Sequence, residues 1–415
     1  MALDNTELKV IDMITKDTIM EMRNNFVILD SVNRNWEGEF GKSGAQIGDT
    51  VRVRRPVYVE SSDGAVVSSF DEIEQGSLPL IINRRKKVAL KITRNDLTLG
   101  LDSLRESFSN PAAMELGQAI ESDIGSLAYK ETYNFTGTPG TEPSTFDDIS
   151  ETSTRLTELG TPITTTKMGI YNSRAARSLA SGLQLVNPQK IATTAIEEAS
   201  VGRYAKVNIM ESNSLPTHTV GALGGTPLVN GASQNVTYAA SSETNTQTLN
   251  VDGWTVSVAD ILKEGDVFTI VGVNSVNRRT RVDTGILQDF VVRADATSNG
   301  SGETALTISP AIITSGPYQT VTAAPADNAA LTIRTGTAAT GYKQNLVFVK
   351  EAISLAMVPL AMPFGGVGAS QQTFEGVTIK VVTDFDITND INQIRWDIMY
   401  GVKVVAQDMI VRHTS

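Results

Sequence analysis

The sequence contains no cysteine and only two histidines, and each shortage excludes a class of chemistry. Without cysteine the chain has no disulfide bonds, thiolate metal ligands or cysteine nucleophiles, a composition that fits synthesis in a reducing cytosol. A histidine-based zinc site or a Ser-His-Asp triad would need His218, in a turn-like stretch, or His413, two residues from the C-terminus. Neither lies in a recognisable catalytic pattern, so the sequence predicts a non-enzyme with no catalytic residue, metal or cofactor.

Long apolar runs and an excess of positive charge are also missing. The longest apolar candidate, residues 352–364, is interrupted by Pro359 and Pro363, and the first residues lack the apolar core of a signal peptide. We therefore expect no membrane partner. The net charge of -11 argues against a protein that wraps DNA over its whole surface, because phosphate contacts need Lys and Arg. A container that encloses DNA without gripping it is compatible with this charge, and so is a simple contribution to solubility.

Three short motifs resemble binding loops but fail their structural tests. Gly41-Lys42-Ser43 ends like a phosphate-binding loop, yet Trp36 stands where the pattern needs its first glycine. Residues 365–368 are rich in glycine but lack the dinucleotide-binding spacing. The acidic stretch 384–390 lacks the central Gly and terminal Glu of a calcium loop. None of the three supports an enzymatic function.

The N-terminal segment, residues 6–30, shows the three- and four-residue apolar spacing of an amphipathic helix. Leu8, Ile11 and Ile14 belong to its apolar stripe. An exposed helix with such a stripe needs a partner surface. It packs on its own domain in one interpretation and docks on a neighbouring subunit as an arm in the other, and we favour the arm.

Residues 49–60 and 84–94 alternate like strands, which predicts a long hairpin that is stable mainly when it lies on another chain. Its charges are segregated between an acidic connection and a basic run. These candidate assembly contacts are Asp63, Asp71, Glu72 and Glu74 in the connection, and Arg84, Arg85, Lys86 and Lys87 in the run. They form two solvated faces in one interpretation. In the other, the acidic tip of one subunit meets the basic run of another.

The rest of the chain predicts an α+β fold interrupted by an all-β stretch. Ser109-Asn110-Pro111 begins a helix over 109–133. Residues 216–341 are rich in Thr, Ser, Val, Asn and Gly without a convincing helix, as in a small β-barrel or sandwich. The other predicted helices are 147–159, closed by Gly160, 173–181, capped by Ser173, 191–199 and 350–357. The other predicted strands are 168–171, 205–210, 346–349, 377–382 and 393–405.

Four segments, in order, resemble the podovirus-type coat proteins, a family of tailed-phage major capsid proteins with an inserted I-domain. Residues 262–273 (LKEGDVFTIVGV) resemble the signature of the insertion, and residues 209–221 (IMESNSLPTHTVG) resemble the segment that leads into it. Residues 346–363 resemble the return to the main domain, and residues 386–401 resemble the family's final strands. The resemblance is clearest from about 200 to 412, whereas residues 1–160 match by the order of elements.

The resemblance implies the tailed-phage capsid fold. Its parts would be an N-arm (1–35), an E-loop (36–95), a P-domain with its spine helix (96–159), an A-domain (160–215), an inserted β-barrel I-domain (216–341), and a final segment (342–415) completing the A-domain and the P-domain strands. It also implies self-assembly of pentamers and hexamers through a procapsid, a scaffolding protein, a portal protein, and packaged double-stranded DNA bound without sequence specificity. The location would be the virion capsid, after synthesis in the host bacterial cytoplasm.

Two other structural roles remain open at this stage. An encapsulin-like nanocompartment shell protein would share the fold, but such shells do not usually carry an inserted β domain. A phage tail or baseplate protein would explain the β domain, but not the spine helix and the split α+β block.

Overall fold

The computed structural model describes residues 12, 14–16, 18–20, 26–35, 50–60, 75–93, 109–183, 202–239, 245–363, 368–374 and 377–415. By its contacts the chain divides into two compact units. The first unit comprises Met1–Arg52, Pro79–Ile124 and Ile353–Lys403, and the second comprises Val53–Leu78, Gly125–Ala352 and Val404–Ser415. The mixture of helices and sheets confirms the α+β class, whereas the domain boundaries within it remain predictions.

The first unit is built on a five-stranded sheet. Its strands are β3 (Arg84–Thr93), β16 (Ile353–Met357), β17 (Gly368–Phe374), β18 (Val377–Asp386) and β19 (Ile391–Val404). They follow the order β16-β19-β18-β17, with β3 also paired to β19. The longest strand, β19, pairs antiparallel with β3 over Ile391–Tyr400 and with β18 over Ile391–Asp397. Its inner face carries Trp396, Ile398 and Tyr400, none of which is exposed.

A short helix and part of a long helix also belong to the first unit. Helix α1 (Val27–Ser31) follows Phe26, whose backbone is extended. Helix α2 spans Asn110–Glu131, and its first part belongs to this unit. The backbone N–H of Ile28 donates to the Glu121 carboxylate of α2 at 2.6 Å. Phe26 packs so closely on Gly117 that a Cβ there would lie 2.1 Å from the Phe26 ring.

A seven-stranded sheet forms one part of the second unit. It consists of β4 (Phe135–Thr136), β5 (Lys167–Tyr171), β6 (Arg203–Tyr204), β7 (Val207–Glu211), β8 (Thr217–Thr219), β15 (Gly341–Val349) and β20 (Ile410–Thr414). The order is β4-β20-β15-β5-β7-β6, with β8 also on β15. Helices α3 (Phe146–Glu158) and α4 (Ser173–Leu183) share a core with this sheet through Ile149, Leu179 and Val347.

The stretch between β8 and β15 forms a six-stranded antiparallel sheet. Its strands are β9 (Gly225–Val229), β10 (Gln247–Trp254), β11 (Val267–Val276), β12 (Asp283–Val292), β13 (Thr304–Ser309) and β14 (Leu331–Ile333), in the order β14-β11-β12-β13-β10-β9. It has its own hydrophobic cluster, which includes Trp254, Phe268 and Phe290. Thr219 of β8 pairs with Gly341 of β15, so the chain enters and leaves this stretch on neighbouring strands.

The predicted pairing of the hairpin is wrong. Strand β1 (Thr50–Arg54) pairs with β2 (Ser77–Ile81), which the sequence did not single out, and β3 pairs with β19. Alternation reports which face of a strand is buried but not which strand lies beside it. The predicted strands 377–382 and 393–405 are confirmed as β18 and β19.

Three helix predictions need correction. Residues 350–357 form a 3₁₀ turn, Lys350–Ala352, followed by strand β16, because this apolar run is buried in a sheet. The predicted helix over 6–30 is interrupted at the extended residue Phe26, although the described residues among 12–20 are helical. Asn172 caps α4 in place of Ser173, since its Oδ1 accepts the backbone N–H groups of Arg174 and Ala175. The predicted helix over 191–199 lies outside the described residues.

Candidate assembly surfaces

The basic run lies on β3, and its alternation divides it between the two faces of the sheet. On one face, Arg84 and Lys86 form ion pairs with Asp123 of α2 at 3.3 and 3.1 Å. The phenol of Tyr400 donates to the same carboxylate at 2.7 Å. Partial burial opposes ionisation of Asp123, but the hydrogen bonds from Tyr400 and Lys86 and the nearby positive charges outweigh it and lower its pKa. The side chains of Arg84 and Lys86 therefore hold β3 against helix α2 of the same subunit.

The other half of the run belongs to a cationic surface that spans three strands. Residues directly opposite one another on paired strands point to the same side of the sheet. Lys87 lies opposite Asp397, which in turn lies opposite Lys380, while Arg395 lies opposite Ala89. We call this surface the basic face; its cations are the exposed Arg85, Lys87 and Lys91, the half-buried Arg395 and the buried Lys380.

One carboxylate lies at the centre of the basic face. The Asp397 side chain is only 2% exposed and forms ion pairs with Arg85 at 3.2 Å, Arg395 at 2.9 Å and Lys380 at 4.0 Å. Lys87 and Lys91 are exposed and form no ion pair with any described residue. Asp384 and Asp386 add two carboxylates toward the end of β18, so the face, with five cations and three carboxylates, keeps an excess of positive charge.

Sequence reasoning found only part of this face. Arg85 and Lys87 were predicted as contacts, but Lys91, Lys380 and Arg395 were missed because they are distant in the sequence or outside the compact run. Single basic residues in two other strands, Lys380 and Arg395, could have indicated the face only with knowledge of which strands pair.

The helical segment predicted as an arm is held by its own unit where the structure describes it. The Asp12 carboxylate accepts hydrogen bonds from Ser370 and, at 3.4 Å, from Gln372 of β17. Ile19 is 1% exposed, and Ile14 is half-buried. The other predicted contacts, Leu8, Ile11, Asp63, Asp71, Glu72 and Glu74, lie outside the described residues.

Both histidines are buried structural groups. His218 Nε2 lies 2.9 Å from Asp266, whose carboxylate also accepts from Thr335 and from the backbone of Gly221. Burial lowers the pKa of His218, outweighing the effect of Asp266. Burial also lowers the pKa of His413 to about 4. Both rings are almost fully buried, and the described residues contain no cluster of three metal-ligating side chains.

No helix in the described part of the chain combines the length and apolar character needed to cross a bilayer.

The profile of the family "P22 coat protein - gene protein 5" matches residues 1–412. The chain belongs to this family. It is therefore a phage major capsid protein, a structural protein of the virion capsid.

Solved structures show more distant likeness to this coat protein. A chain from Mycobacterium phage Che8 aligns with a TM-score of 0.49 at 15% identity, covering 94% of this chain and 91% of the other. A capsid chain of Ralstonia phage GP4 aligns with a TM-score of 0.45 at 8% identity, covering 93% and 87%. A virus-like particle from Pyrococcus furiosus gives 0.39 at 10% identity, covering 97% and 99%. Comparison with curated protein sequences gave no significant match. The family match alone carries the assignment.

Proposed function

We propose that this coat protein assembles with copies of itself, as pentamers and hexamers, into the icosahedral shell around the double-stranded DNA of a tailed phage. Family membership supports the role, and the observation that carries the assembly mechanism is the basic face on β3, β18 and β19. Its partner is the acidic connection of a neighbouring copy, which contains Asp63, Asp71, Glu72 and Glu74. A scaffolding protein, a portal protein and the packaged DNA are its other partners. The chain acts through association, without a catalytic step, after synthesis in the host cytoplasm.

The sign of the charge supports this pairing. The whole chain carries -11, so two copies repel one another at long range, yet the basic face is locally positive. Charges of opposite sign on two partners speed encounter and fix the register of docking more than they add affinity. Salt screens such exposed charges over about 8 Å at physiological ionic strength. Assembly through this face should therefore weaken as salt rises.

The strength of a shell comes from repetition. A stable obligate contact buries on the order of 2,000 Å² or more. Each subunit of a closed shell is held by several neighbours at once, so modest individual contacts add up to a stable particle. A charged face that adds little binding free energy by itself still determines which docking geometry produces a closed shell.

Lys87 and Lys91 provide the sharpest test, because the other cations also hold Asp397 or Asp123 within the subunit. Changing both to Glu should leave the far-UV circular dichroism spectrum of the unassembled subunit unchanged and reduce the yield of closed particles at least several-fold. Particles are measured by sedimentation and negative-stain microscopy, with scaffolding protein added where the wild type needs it.

The control carries the same change of charge elsewhere. Lys343→Glu with Lys350→Glu changes two exposed lysines of the second unit and should assemble close to wild-type yield. Equal yields from both double variants would overturn the role of the basic face. A wild-type chain that forms no closed shells, alone or with scaffold, would overturn the proposed function itself.

A further inference from the structure

Residues 55–60, which follow β1, lie against loops that flank the six-stranded sheet. Tyr238 and Tyr318 stack face to face, with their ring centroids 3.7 Å apart and an interplanar angle of 9°. Tyr58 approaches Tyr318 edge-on at 5.8 Å and 90°. Of these two contacts, the edge-to-face geometry of Tyr58 and Tyr318 is the one that aromatic rings favour. The three tyrosines therefore form one aromatic group that joins residue 58 to two loops more than 150 residues away in the sequence.

Polar contacts fix the same segment on both sides of Tyr58. The Tyr58 phenol donates to Asp408 at 2.5 Å. Burial, with the adjacent Asp408 charge, raises the pKa of Tyr58, so the phenol keeps the proton that it donates. Arg281, in the connection between β11 and β12, donates to the Val59 carbonyl at 2.8 Å and pairs with Glu60 at 3.4 Å.

The two ends of the connection between β1 and β2 are hydrogen-bonded to each other. The backbone N–H of Arg55 donates to the Gly76 carbonyl at 2.9 Å, and Gln75 Nε2 donates to the Arg55 carbonyl at 3.1 Å. Arg55 also donates a hydrogen bond to Tyr238. Holding residues 55–60 therefore holds both ends of the connection that runs from β1 to β2.

We infer that Tyr58, Tyr238, Tyr318 and Arg281 form a root clamp, a set of positioning residues that fixes the base of the 55–76 connection on the six-stranded sheet. The inference rests on the proposed function in one respect: the connection is the element that reaches a neighbouring copy. The sheet then has a direct part in assembly, because it sets where that connection starts.

The clamp has a readout that does not depend on assembly. In the unassembled full-length chain, Tyr318→Ala and Arg281→Ala should each speed hydrogen exchange of the Arg55 amide, which donates to the Gly76 carbonyl, at least tenfold, while the amides of β10 and β13 stay protected. Tyr318→Phe keeps the stacked ring and should exchange like the wild type. Arg279→Ala is the matched control, because Arg279 is exposed in the same connection and donates to the Gly160 carbonyl instead.

Assembly provides the second readout. The two clamp variants should give several-fold fewer closed particles than the wild type, and Tyr318→Phe and Arg279→Ala should give normal numbers. Unchanged exchange of the Arg55 amide in Arg281→Ala, or in Tyr318→Ala if it folds, would overturn the clamp. Faster exchange with normal particles would overturn its role in assembly. A wild-type chain that forms no shells contradicts the proposed function and leaves the exchange result standing.

Discussion

Lys167 is a buried cation without a carboxylate partner among the described residues, and it makes the stability of the subunit depend on pH. Its Nζ donates to the Ser153 carbonyl at 2.6 Å and to the hydroxyls of Ser153 and Thr157 at 2.9 and 2.8 Å. Burial, with a contribution from the charge of Lys206, lowers its pKa to about 8 from 10.5. Below pH 8 the folded and unfolded states are both protonated, and the fold bears the full cost of a buried charge.

Between pH 8 and 10.5 the unfolded chain keeps the proton that the folded chain has lost, so this lysine makes stability rise with pH. The expected gain between pH 7 and 9.5 is about 2 kcal/mol. Lys167→Met should remove that rise, measured as the difference in urea midpoints between the two pH values. Loss of its hydrogen bonds shifts both midpoints together, so the difference isolates the charge. A variant with the wild-type difference would contradict the assignment.

Helix α2 depends on a glycine where an aromatic ring crosses it. Gly117→Ala places a methyl group against Phe26 and should destabilise the subunit by about 1–3 kcal/mol through overpacking, partly offset by about 1 kcal/mol of helix propensity. In a Phe26→Ala background the collision is gone, and the same substitution should become stabilising. Urea unfolding of the four chains of this double-mutant cycle measures the change of sign. Gln118→Ala, at the exposed neighbouring position, should show no such coupling.

At the scale of secondary-structure elements, the sequence predicts where helices and strands lie better than it predicts which strands pair. The helix predicted over 147–159 and closed by Gly160 is α3 within a residue at each end, because a terminal glycine is a local signal; the structure adds Thr145 as its N-cap. The partner of β3 is β19, some three hundred residues further on, and no pattern inside β3 specifies it. The same limit explains β16, since a short buried apolar run satisfies helix and strand templates alike.

The candidate assembly surface was likewise predicted from local pattern only in part. Alternation placed four cations on β3, but their separation into structural and surface roles depends on Asp123 and Asp397, whose proximity only the fold reveals. No sequence pattern indicated the root clamp, because single tyrosines at 58, 238 and 318 belong to no motif and only the fold brings them together. At the scale of the whole molecule the prediction succeeded, because four family-like segments occurred in the right order along most of the chain.

The whole-molecule prediction concerns removal of the all-β stretch. The Ala339 N–H donates to the Gly221 carbonyl at 3.1 Å, so deleting residues 222–338 leaves ends that a short glycine linker joins without moving β8 or β15. The deletion removes Val267 and Val291, which cover Tyr133 and Phe135 beside α2 and β4. It also removes Ser275 and Asp289, which hold the buried Arg155 side chain of α3.

The shortened chain should therefore keep its helical circular dichroism signal but bind more of the apolar dye ANS, fold in lower yield and form few or no particles. Exposure of two aromatic rings favours aggregation over productive docking, since large apolar patches on a subunit attract non-specific partners. Inserting the same linker after Gly300, an exposed position with open space around it, tests the effect of the linker alone and should leave yield and assembly normal. Normal particles from the deletion variant would show that the stretch is dispensable, and they would also contradict the part in assembly that the root clamp gives to the six-stranded sheet.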